Sequence, residues 1–76
     1  MLREHERVVL TTAVPEEELV AGDVGTVVHL YRDGTAYEVE FVALDGHTTA
    51  VVTLTPDQVR PVTSRDMTHS REIQAV

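Results

Sequence analysis

The run "AYEVEFV" (Ala36–Val42) constrains the chain most, because Tyr37, Val39 and Phe41 alternate with Glu38 and Glu40. A period of two puts the apolar side chains on one face of an extended strand and the carboxylates on the other. Asp33-Gly34 precedes this run and Asp45-Gly46 follows it. Both are the residue pairs that tight hairpin turns favour. A half-buried strand between two hairpins needs neighbours, and the rest of the sequence supplies them.

Before it, "RVVLTT" (Arg7–Thr12) and "VGTVVHLY" (Val24–Tyr31) read as strands. After it, "HTTAVVTL" (His47–Leu54) places Ala50, Val52 and Leu54 on one face and Val51 and Thr53 on the other. "TPDQ" (Thr55–Gln58) predicts a single 3₁₀ turn, and "VRPV" (Val59–Val62) a short last strand that Pro61 confines to an edge or to its own end. In the "AVPEEELVA" loop, Pro15 suits the opening of one short helical turn, with Glu16–Glu18 at its positive end. "MLREHE" reads as a frayed polar lead-in, and residues 63–76 as a flexible C-terminal tail. The expected fold is therefore all-β: a small five-stranded SH3-like barrel over residues 1–62, with a short 3₁₀ turn before the last strand. A five-stranded OB-type barrel is the alternative. It wants longer strands and a helix between the third and fourth, where only Leu44-Asp45-Gly46 is available.

Composition agrees. Fourteen valines and ten threonines in 76 residues are a strand-forming mixture. The absence of cysteine excludes disulfides, a thiolate nucleophile and a zinc–thiolate site, so packing alone must hold a domain this small. Val8-Val9-Leu10 is too short for a signal-peptide core, and no segment approaches the roughly 20 apolar residues of a membrane span. The expectation is a soluble cytoplasmic protein. The net charge is −7, and every one of the six basic residues is arginine. Such a surface repels nucleic acid and anionic lipid and steers basic partners toward itself.

"AGDVGTVVHLY" (Ala21–Tyr31) raises the question of a phosphate loop. That device needs a helix N-terminus after the glycines. Here a β-branched run follows, no lysine exists, and Asp23 would repel an anion. The stretch reads instead as a turn into a strand. Gly22 supplies an unusual backbone conformation, Asp23 bonds its own backbone two residues on, and Gly25 permits a bend or a close backbone approach. It resembles the loop-strand motif of KOW-type SH3-like barrels in ribosomal proteins and transcription elongation factors. "AGDVGTVVHLY", "AYEVEF" and "VVTLTPDQVRPV", in this order and spacing, are similar to a family of small bacterial domains of unknown function. The likeness covers about Glu6 to Val62. Some members of that family are encoded beside toxin-like genes, which implies an antitoxin or immunity role; the resemblance transfers no catalytic motif.

The residues themselves offer little chemistry. Glu38 and Glu40 share a strand face, but an acid/base pair needs a concave site that a filled barrel of this size does not give. His5, His29, His47 and His69 lack ligand spacing, and His29 and His47 would meet only if the second and fourth strands were neighbours, so no metal is expected. Ser64 and Ser70 lie in the tail, away from any fixed base. Tyr31 and Tyr37 flank the Arg32–Thr35 turn and could wall an aromatic cage, though both rings are expected to close the core. The expectation is a non-catalytic protein-binding module, with no cofactor, that meets a basic protein partner, which the resemblance implies is a co-encoded toxin. Its contact set is Glu16, Glu17, Glu18, Asp23, Glu38 and Glu40. The alternative is a KOW-like nucleic-acid or ribosome-associated module, which dispersed arginines (Arg7, Arg32, Arg60, Arg65 and Arg71) serve poorly.

Overall fold

The computed structural model describes residues 2–73. Five strands form one antiparallel sheet: β1 (Arg7–Leu10), β2 (Val24–Leu30), β3 (Tyr37–Val42), β4 (Thr48–Leu54) and β5 (Val59–Pro61). Their order is β4-β3-β2-β1-β5, a meander whose last strand returns to pair with the first. This is the all-β, SH3-like arrangement the alternation predicts. No helix separates β3 from β4, where the OB alternative would place one. Single 3₁₀ turns occupy Pro15–Glu17, Arg32–Gly34 and Pro56–Gln58, the last directly before β5. Among the described residues no helix is long and apolar enough to cross a membrane.

The sheet wraps around one core to which every strand contributes. Val8 and Leu10 come from β1, Val27 from β2, Tyr37, Val39 and Phe41 from β3, Ala50 and Leu54 from β4, and Val59 from β5. Val14 and Leu19 complete it from the β1–β2 connection, where they bridge each other around the Pro15 turn. Gly22, with φ +99°, turns the chain into β2 in a conformation other residues resist. Gly25 is an ordinary strand residue opposite Val8, buried at a close approach between β2 and β3.

Two expectations need correction. The lead-in is not frayed: Leu2 is buried in the core, the His5 N–H donates to Val27 O, and the Val27 N–H donates to Glu6 O. A lone leucine can fill core space without any periodicity around it, and the β1–β2 ladder simply runs on upstream. Tyr31 does not close the core either. The β2–β3 register shifts between Val27 and His29, leaving Val28 as an extra, exposed residue. Such a bulge reverses the alternation, so Leu30 packs on the core opposite Tyr37 while Tyr31 turns outward.

The sheet stays open between β4 and β5. β5 is three residues long and ends in Pro61, which has no N–H to donate. β4 is seven residues long and pairs with β3 alone. Residues Thr63–Ile73 run over the surface without helix or strand, and every one of them is exposed.

Candidate functional site

Strand β3 presents Glu38 and Glu40 on the outer face, half-buried by the strands on either side. Their spacing of two residues separates them by about 6.7 Å along the strand. In register, Glu40 lies between Thr26 of β2 and Val51 of β4, and Glu38 between His29 and Thr53. Hydroxyl groups hold both carboxylates. Thr53 Oγ1 donates to Glu38 Oε1 at 2.6 Å, Tyr31 Oη donates to the same oxygen at 3.1 Å, and Thr48 Oγ1 donates to Glu40 Oε2 at 2.5 Å. The outward Tyr31 ring is steadied by His29, edge-to-face at a centroid distance of 4.7 Å.

Neutral donors orient a carboxylate without cancelling its charge. Among the described residues no arginine or histidine pairs with either glutamate. The contrast with the aspartates is sharp. Arg71 binds both oxygens of Asp23, with Nε to Oδ1 at 2.9 Å and Nη2 to Oδ2 at 2.5 Å. Burial raises the Asp23 pKa, but Arg71 and the Val20 N–H outweigh it and hold the carboxyl below its usual value. Arg60 forks onto Asp66 in the same way, and with the Thr63 N–H it drives that carboxyl far down. The His47 N–H and then its ring lower the Asp45 pKa.

The six acidic residues of the expected contact set therefore stand in different states. Glu16, Glu17 and Glu18 are exposed on the Pro15 turn, and Glu18 closes it in a left-handed conformation. Asp23 sits nearby, but its carboxylate points back to the Val20 N–H at 2.9 Å and across to Arg71, rather than forward along its own chain. Glu38 and Glu40 form a second group on another element. Nothing in the sequence exposes the Arg71–Asp23 pairing, since 48 positions separate the two residues.

The same hairpin exposes apolar side chains: Val51, opposite Glu40, and Val42 are about half exposed, and Leu44 is fully exposed at the tip of the β3–β4 connection. Open recesses occur elsewhere, one along Arg3–Glu6 and one between the Pro15 turn and Arg71-Glu72, and neither includes Glu38 or Glu40. β3 lies between β2 and β4, so His29 and the residue preceding β4, His47, are held apart by a full strand. The arrangement is suited to contact: fixed, unneutralised charge beside exposed aliphatic surface.

The model of one protein family, described as a domain of unknown function (DUF4926), matches residues 4–61. No curated protein and no solved structure matches the chain. The match takes in all five strands and the part of the lead-in, from Glu4 onward, whose backbone bonds to Val27, and the chain belongs to this family.

Proposed function

We propose that this family member is a non-catalytic protein-binding module whose β3–β4 face engages a basic protein partner. The observation that carries the reading is the state of Glu38 and Glu40: held in place by Thr53, Tyr31 and Thr48, yet paired with no cation among the described residues. Val42, Leu44 and Val51 add the aliphatic surface that the stems of arginine or lysine side chains pack on. Fixed carboxylates raise association rate and reject wrong partners. Glu16, Glu17 and Glu18 extend the negative field, whereas Asp23 is committed to Arg71 and drops out of the contact set.

An antitoxin or immunity role toward a co-encoded toxin is the biological form this reading takes, and it rests on the resemblance to domains encoded beside toxin-like genes. A nucleic-acid role gains no support from the arginines. Arg60 and Arg71 already hold Asp66 and Asp23, leaving few cations to meet phosphates.

The test compares two charge-neutralising pairs in binding to the product of the neighbouring gene. Glu38→Gln with Glu40→Gln should weaken binding about tenfold or more, and Glu16→Gln with Glu17→Gln by about threefold or less. Equal effects of the two pairs would remove the β3 face from the reading. A robust gel shift with RNA or DNA at low salt would favour the nucleic-acid module instead.

A further inference from the structure

The two edges of the sheet are built differently. β5 is three residues, carries Arg60, and ends in a proline, all features that discourage another strand from pairing. β4, "TTAVVTL", is seven residues with no charge, no proline and no glycine, and five of its seven side chains are β-branched. Its one irregularity is a bulge at Thr49, between the Phe41–Ala50 and Val42–Thr48 pairs, which leaves Ala50–Leu54 as a regular edge. Among the described residues, no backbone group outside β3 bonds to any residue of Thr48–Leu54. The chain guards one edge and leaves the longer one ready to pair.

We propose that β4 is a strand-addition edge, and that its occupant is an extended segment of a basic protein with cationic side chains at alternate positions. This rests on the acidic-face reading above and specifies how that face is reached. A strand added beside β4 lies two strand spacings, roughly 10 Å, from β3. Its outward side chains pass over Val51 and Thr53, the β4 residues opposite Glu40 and Glu38. Extended arginine or lysine side chains and the glutamates close that gap from opposite sides, with Val51 as the apolar floor for the aliphatic stems. The repeat matches as well, because alternate residues of the added strand recur at the same two-residue interval that separates Glu38 from Glu40. A second copy of this chain fits less well. Its β4 offers no cation, and each copy carries a net charge of −7.

The probe is a blocked heptapeptide alternating arginine with valine and threonine, titrated into the intact protein by calorimetry and ¹⁵N NMR. Four results are expected. The largest amide shifts fall on β4. Methylating alternate peptide nitrogens weakens binding about tenfold or more, because strand pairing needs those N–H groups. Val51→Lys, at a half-exposed site that tolerates it, does likewise by repulsion and keeps the thermal midpoint. Glu38→Gln with Glu40→Gln also weakens binding.

If the methylated peptide binds as well while the glutamate variant still loses affinity, the edge proposal falls and the acidic face stands. If methylation matters and the glutamates do not, the acidic-face reading falls, and with it the cationic occupant proposed for the edge. Absence of binding at millimolar peptide overturns the proposal. So does a concentration-dependent dimer that Val51→Lys dissolves, since the edge would then serve a second copy.

Discussion

Gly25 on β2 approaches Val39 on β3 so closely that a Cβ on the glycine would stand 2.6 Å from Val39 Cγ1. The same atom would meet Glu40 O and Phe41 Cε2, each at 2.9 Å. Backbone oxygen and a packed ring in the core cannot both retreat. The glycine in this turn-and-strand stretch is there for packing, and no left-handed conformation is involved at this position.

Gly25→Ala should therefore destabilise the domain by about 1–3 kcal/mol, the range seen when a tight core is overfilled. Partner affinity, measured well below the new melting point, should change by no more than about threefold. Chemical denaturation and a binding isotherm on one variant check both halves. Unchanged stability with lost binding would mean that Gly25 faces a ligand.

Leu2 gives a second prediction. It is buried against a core that every strand shares, and it is held there by the His5–Val27 and Val27–Glu6 backbone bonds. Leu2→Ala should cost about 1–3 kcal/mol, toward the low end of core leucine truncations because the site is peripheral. A denaturation midpoint equal to that of the parent would show that the lead-in does not hold the fold.

Most of the architecture is legible in the sequence because strand alternation and Asp-Gly turns are local signals. Tyr37–Phe41 alternates, and the observed β3 has that pattern of burial. The misreadings have causes that no local pattern reveals. Tyr31 turns outward because one bulge at Val28 shifts the register, and a valine among valines does not announce a bulge. Leu2 stands alone in a polar run, and its burial depends on where β2 lies. The state of the carboxylates was hidden too: Asp23 and Glu38 look equivalent in sequence, yet one is clasped by an arginine 48 positions away and the other only by hydroxyl groups.

The C-terminal segment gives a prediction in pH. Arg71 fastens it to Asp23, and Arg60 pairs with Asp66. Met67 is almost wholly exposed and Ile73 half exposed, so little apolar burial accompanies these pairs. Both aspartates have pKa values depressed below the ordinary carboxylate value. A depressed pKa contributes stabilisation that is present above about pH 4 and is lost as the pH falls through the folded-state value. Amide resonances of Thr63–Asp66 should accordingly hold their positions from pH 7 to about 5 and move toward unstructured positions below about 4. Removing residues 63–76 at neutral pH should lower the thermal midpoint by less than about 5 °C, because exposed ion pairs contribute little. A larger drop would mean that the segment belongs to the core.

Attraction of a basic partner by unneutralised Glu38 and Glu40 must show in the salt dependence of binding. Affinity for the product of the neighbouring gene should be measured from about 20 to 500 mM salt, a range over which screening shortens from roughly 20 Å to a few ångströms. Affinity should fall steadily as salt rises, with a distinctly shallower slope for Glu38→Gln with Glu40→Gln at an unchanged fold and melting point. A flat salt profile for the parent, or parallel slopes for parent and variant, would contradict that attraction.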